Sequence, residues 1–169
     1  MGDVFKEQIV KRKPTSKDSL FRVGIIVLVI IISLLSLAFL QTFAVIGIGA
    51  AAFGAAFLMR FLNIEYEYIF TNGELDIDVI YKQTSRKRLF TGNVKDFEIM
   101  AHVEDKNHAG AFGGAQETRD YSTGQVGPDS YAFLINKDGK RLKIIIEPNE
   151  KMLTAISGVM SRSKIHIKK

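Results

Sequence analysis

Between residues 23 and 59 the chain carries no charged side chain, and a run of that length is too long for one membrane crossing and suits two. As a helix it would reach roughly 55 Å at about 1.5 Å per residue, against a hydrocarbon core of about 30 Å. The polar pair Gln41-Thr42 near its middle divides it into spans expected at about residues 21–40 and 43–62. The expectation is therefore a two-helix transmembrane hairpin. Bases flank it on both sides, with Lys6, Lys11, Arg12, Lys13, Lys17 and Arg22 before it and Arg60 after it, while the turn has none. By the positive-inside tendency both termini are expected in the cytoplasm, and the protein in the cell membrane as a multi-pass chain.

Two processing signals compete with this reading and lose to it. A signal peptide cleaved at Ser36-Leu37-Ala38 would need a shorter polar leader and a shorter apolar run, and here a second apolar run follows at once. The Met1-Gly2 start has Lys6 where N-myristoylation wants Ser or Thr.

The two spans differ in texture. The first is rich in Ile, Leu and Val, whereas the second has Gly47, Ala51 and Ala55, and again Ala50 and Gly54, at small-xxx-small spacing. Such faces let helices approach closely where lipid removes the hydrophobic drive to associate. Gly47, Ala51, Gly54 and Ala55 are thus expected to pack on another helix, either the first span or a second copy in a homodimer. Neither span carries an ionisable residue, so an anchor is expected rather than a transporter.

Of the 169 residues about a hundred remain for one soluble domain. There is no cysteine, which excludes disulfides, thiolate metal sites and cysteine nucleophiles. The net charge of +5 gathers beside the membrane, at Arg86-Lys87-Arg88 and at the end of the chain, with an acidic stretch between, so no continuous basic face for nucleic acid is implied. Residues 1–20 form a basic cytoplasmic arm, read either as a short amphipathic helix in the headgroup region or as a disordered leader. Residues 164–169 form a basic tail.

Beyond residue 63 the apolar period changes to two. Tyr66, Tyr68 and Phe70, then Asn72-Gly73, then Leu75, Ile77, Val79 and Tyr81 mark a β-hairpin with an Asn-Gly turn. Further strands are expected at 86–91 and at 94–103, the latter with Phe97, Ile99, Ala101 and Val103 inward and Met100 and His102 outward. A second hairpin turns at Asp138-Gly139 with Tyr131, Phe133, Ile135, Leu142, Ile144 and Ile146 inward. A closing helix opens at Pro148-Asn149-Glu150 and places Met152, Leu153, Ile156, Val159 and Met160 on one stripe. The fold class is a membrane α-helical hairpin plus an α+β domain, an antiparallel curled sheet or partly open barrel with a C-terminal amphipathic helix.

A hairpin anchor, the strand pair Tyr-x-Tyr-x-Phe-Thr-Asn-Gly-x-Leu-x-Ile, the segment Arg-Lys-Arg-Leu-Phe, a strand beginning Val-Lys-Asp-Phe and a final strand-Pro-helix together resemble small bacterial membrane proteins with a pleckstrin-homology-like (PH-like) domain. The resemblance covers residues 63–163. It implies a PH-like barrel facing the cytoplasm and a membrane-bound adaptor, with relatives implicated in envelope stress or protection against bacteriocins. The stretch 104–129 is longer than an ordinary strand connection, and is either a binding loop or a disordered insertion.

Several clusters invite a chemical role. His102, Glu104, Asp105 and His108 are of metal-ligand type, but alternation puts His102 on the solvent face and His108 in a glycine-rich loop, so no metal site is expected. No serine has a nucleophile context and no glycine run has phosphate-binding spacing, so neither catalytic nor cofactor-binding residues are assigned, and the chain is expected not to be an enzyme. A membrane-surface hydrolase using Asp105, His108 and Asp120 is the least favoured class. Candidate lipid contacts with an anionic leaflet are Lys11, Arg12, Lys13, Arg86, Lys87 and Arg88. Phe112 and Tyr121 are candidate contacts for a protein partner, whose segment could instead add to an exposed sheet edge. The leading expectation is a non-enzymatic adaptor, the alternative a sensor of anionic lipid.

Overall fold

The computed structural model describes residues 4–81 and 85–167. The Met1-Gly2 start and the tail lysines Lys168 and Lys169 lie outside them. The chain divides into two compact units, one made of Pro14–Ile64 and the other of the stretch ending at Lys13 together with the chain from Glu65 onward.

The first unit is a helical hairpin. Helix α1 (Ser16–Leu40) starts five residues earlier than hydropathy alone suggests, because Thr15 and Asp18 form a capping box. The Thr15 hydroxyl accepts the Asp18 N–H at 3.3 Å, and the Asp18 carboxylate accepts the Thr15 N–H at 2.7 Å. A 3₁₀ turn at Gln41–Phe43 reverses the chain, with Gln41 at a φ of 41°, and helix α2 (Ala44–Met59) returns. The helices pack on each other around Gly47, where a Cβ would stand 2.3 Å from the Ser36 Oγ. Their outward side chains are strongly apolar: Phe39, Val45 and Phe53 are 80%, 78% and 77% exposed.

The second unit holds two sheets. The first has the order β1-β2-β3-β4, from β1 (Phe5–Lys11), β2 (Ile64–Thr71), β3 (Glu74–Tyr81) and β4 (Ser85–Asn93). The Asn72-Gly73 turn has the positive φ values, 50° and 96°, that a tight hairpin with the right twist demands. The second sheet has the order β6-β8-β7-β5-β9, from β5 (Phe97–His102), β6 (Glu117–Asp120), β7 (Tyr131–Lys137), β8 (Lys140–Ile146) and β9 (Ile165–His166). Its centre is antiparallel, and β6 and β9 join its two edges in parallel. Two mostly antiparallel sheets thus form the domain for which the sequence predicts a curled sheet or partly open barrel. Between them lies one core, with Tyr68, Phe70, Leu75, Ile77 and Phe90 facing Phe97, Phe133, Ile144 and Ile146. The Phe97 and Phe133 rings stack at 4.0 Å, and Phe90 lies 5.5 Å from Phe133 across the gap. Helix α3 (Glu150–Val159) is capped by Asn149, whose side chain accepts the Met152 N–H at 2.9 Å, and it buries Met152 and Ile156.

Two expectations need correction. Residues 5–11 of the arm are neither a helix nor a leader but β1, paired antiparallel with β2 from Phe5↔Thr71 to Lys11↔Glu65. Gln8 ties that strand to the far end of the chain: its amide donates to the Glu147 carbonyl at 2.7 Å and accepts from the Asn149 N–H at 2.7 Å. In β5 the register shifts between Phe97 and Ile99, so Met100 pairs with Phe133 and His102 with Tyr131. That bulge reverses the expected alternation and carries Met100 and His102 into the core face. The stretch 104–129 contains a 3₁₀ turn at Ala109–Gly114 followed by β6.

Candidate interaction surface

The outer face of the first sheet carries several paired charges. In β2, Glu67 occupies an outward slot of the alternation, yet it is only 1% exposed. Its Oε1 accepts from Arg86 Nη2 at 2.8 Å, reaching from β4, while its Oε2 is buried with no donor. Burial raises the Glu67 carboxyl above its ordinary range, and the Glu7 carboxyl within hydrogen-bonding reach raises it further. Ile9 of β1 lies opposite Glu67 in the register. Glu7, Ile9, Glu65, Glu67, Ile80, Ser85 and Arg86 together line an open depression of about 450 Å³.

Next to it, Arg88 forms a fork across two carboxylates. It bonds Asp78 and places Nη1 2.7 Å from Asp76 Oδ2, leaving Asp76 Oδ1 buried without a donor. The register shift between Ile77 and Asp78 leaves Leu89 unmatched and sets Asp78 opposite Arg88. The Arg86-Lys87-Arg88 triplet is therefore split by the pleat. Arg86 and Arg88 are engaged with carboxylates of their own sheet, while Lys87, opposite Val79 and exposed, has no carboxylate partner among the described residues.

The other candidate lipid contacts sit where β1 leaves the sheet. Lys11 Nζ is 3.8 Å from Glu65 Oε1. Arg12 contributes positive charge near the Tyr66 hydroxyl. Lys13 donates its N–H to the Thr123 carbonyl at 2.8 Å and its ammonium to Gln125 Oε1 at 3.1 Å.

The two aromatic residues of the long segment part company. Phe112 is half-buried beneath Lys143 Nζ, 5.1 Å from the ring centroid. Tyr121 is not a surface contact: it is 8% exposed, its ring is 5.5 Å from Tyr66, and its carbonyl accepts the Tyr68 hydroxyl. It anchors the segment to the core.

His102 is 2% exposed with both ring nitrogens engaged, Nε2 with the Gly127 carbonyl at 3.1 Å and Nδ1 with the Glu104 N–H at 3.2 Å. His108 Nδ1 meets Asp105 Oδ2 at 2.7 Å, which holds the Asp105 carboxyl below its usual range, and its ring stacks on His166 at 3.6 Å. Among the described residues no three side chains of ligand type converge on a point that could hold a metal ion. Asp120, the third residue of the hydrolase reading, accepts the Ser122 N–H and hydroxyl at 2.9 and 2.6 Å.

In the helical hairpin Gly47 meets α1 at Ser36 and Leu40, so the first helix fills the close-packing role at that position. Ala51, Gly54 and Ala55 line an open apolar groove with Ile25, Leu28 and Ile32, and a Cβ at Gly54 would meet nothing within 4 Å.

A pair of mostly antiparallel sheets around one core, closed by a C-terminal helix, defines a PH-like α+β domain. Residues 2–166 match the family model described as Bacterial PH-like domain (DUF6106), and the chain belongs to that family. No curated protein and no solved structure matches the chain significantly.

Proposed function

We propose that this protein is a membrane-anchored, non-catalytic interaction module, in which the α1–α2 hairpin is a two-span anchor and the PH-like domain binds a protein segment on the cytoplasmic side. The observation that carries the anchor reading is the pairing of β1 with β2. These strands are hydrogen-bonded neighbours, Lys11 opposite Glu65, yet the whole apolar segment lies between them in sequence. A segment that leaves and re-enters a sheet at adjacent positions can cross a bilayer only an even number of times. Signal-peptide cleavage near Ala38 would remove β1 from its own sheet. The segment Ser16–Leu62 is long and apolar enough to cross a membrane, and only 11% of its most apolar window is buried. A core helix of a soluble domain would be mostly covered.

The interaction reading rests on family membership and on the charge geometry of the domain. Arg86 and Arg88 already neutralise carboxylates of their own sheet, which leaves less positive charge for lipid headgroups and favours a protein ligand over the leaflet itself.

The chain has no native cysteine, so single cysteines report topology cleanly. Thr42→Cys, in the exposed turn, is expected to react with an impermeant maleimide in intact cells, and Lys140→Cys, exposed at the start of β8, only after lysis. Labelling of Lys140→Cys in intact cells would overturn the cytoplasmic placement. A photoreactive residue at Lys87 or Phe112 should then yield a discrete protein adduct. Adducts to lipid alone would favour the lipid sensor.

A further inference from the structure

The depression on the outer face of the first sheet combines acidic and apolar lining. Two carboxyls, Glu7 and Glu67, lie within hydrogen-bonding reach, and no donor satisfies the buried Glu67 Oε2. Beside them Glu65 adds a third carboxylate, held only loosely by Lys11 Nζ at 3.8 Å. Arg86 compensates one oxygen of Glu67 and leaves the other. Among the described residues of the lining, one cation, Arg86, stands against three acids. A buried carboxylate oxygen without a donor is destabilising, so an occupant that donates to it gains what the empty site forfeits.

The apolar part of the lining narrows the choice of donor. Ile9, 56% exposed, and Ile80, 8% exposed, form two walls of the same depression. A bare metal ion gains nothing from them, and among the described residues no three ligand-type side chains are grouped closely enough to hold one. A long basic side chain fits both halves, with its methylene stem against Ile9 and Ile80 and its charged head on the carboxyls.

We propose that this depression is a recognition subsite for a lysine or arginine side chain of the protein partner, the cation docking between Glu7 and Glu67 and the stem lying on Ile9 and Ile80. The inference rests on the interaction-module reading and specifies the chemistry of its ligand, a basic segment rather than an anionic one.

The test uses the full-length protein in detergent with its isoleucine δ1-methyls labelled, so that Ile9 and Ile80 report directly by NMR. The probes are N-acetyl-arginine amide, N-acetyl-norleucine amide and ethanolamine. The arginine probe is expected to shift both methyls saturably at millimolar concentration, and Glu7→Gln to weaken that binding at least fivefold. Glu7 is exposed, so its variant should keep the remaining methyl spectrum, which verifies folding. Unsaturable or absent shifts would mean that the two carboxyls merely share a proton, and would overturn the subsite. An equal response to norleucine amide or ethanolamine would overturn it too, as would unchanged affinity in Glu7→Gln. A protein adduct captured at Lys87 or Phe112 in cells, with no arginine response at Ile9, sinks this subsite while the module reading stands.

Discussion

Glu67 illustrates how one residue can work against the stability of its own fold. Its carboxyl is buried and faces Glu7, and both effects raise its pKa above the ordinary value near 4.5. A carboxyl whose folded pKa exceeds its unfolded one binds more protons in the folded state. Stability therefore falls as pH rises from about 4.5 through the folded pKa, the reverse of a salt-bridged acid. Glu67→Gln removes that titration, keeps an acceptor for Arg86 and supplies an N–H for Glu7. We expect the variant to be more stable than the parent at pH 7.5 and indistinguishable from it near pH 4. Thermal unfolding across that pH range checks this, and a parent whose stability rises from pH 5 to 7.5 relative to the variant would contradict it.

Among the elements, β1 and the α1–α2 pair make the most specific demands. Gln8 bridges β1 to the β8–α3 connection through two bonds of 2.7 Å. Gln8→Ala should cost about 1–2 kcal/mol, read as a lower unfolding midpoint. In the hairpin, Gly47→Ala puts a methyl 2.3 Å from Ser36 Oγ and 3.0 Å from its Cβ. It should loosen the helix pair, and Ser36→Ala in the same chain should restore part of the loss, a coupling that a double-mutant cycle in detergent measures. Elements defined by local chemistry were legible in the sequence. Asn72-Gly73 and Asp138-Gly139 impose positive φ, Asn149 caps a helix, and the uncharged run breaks at Gln41. What was not legible depends on distant partners. The strand β1 is a short edge whose mixed residues, Phe5 to Lys11, acquire a strand's meaning only from β2, beyond the whole hairpin. The bulge near Glu98 inverted the phase of β5 and hid the burial of His102. Glu67 falls in an outward slot by alternation, and nothing local reveals that Arg86 and Glu7 close over it.

For the whole molecule, the decisive fact is that the two ends of the apolar insertion are neighbours in one sheet. Paired strands lie about 4.8 Å apart, so the domain's fold requires a short connection between Lys11 and Glu65 and no particular contents within it. Replacing residues 14–63 by a glycine-serine linker of about eight residues should therefore yield a soluble domain with both sheets and α3 intact. Its thermal midpoint is expected within a few degrees of the parent's soluble unit. A truncation that simply begins at Glu65 is a different molecule. It discards β1, bares the edge of β2 with the apolar residues Tyr66, Tyr68 and Phe70, and breaks both Gln8 bonds; unpaired edges of that kind drive aggregation. The linker form should elute as a monomer with dispersed amide resonances, and the truncation should aggregate or show poor dispersion. If the truncation folded as well as the linker form, β1 would be an ornament of the domain, and the even-crossing argument for the anchor would lose its footing.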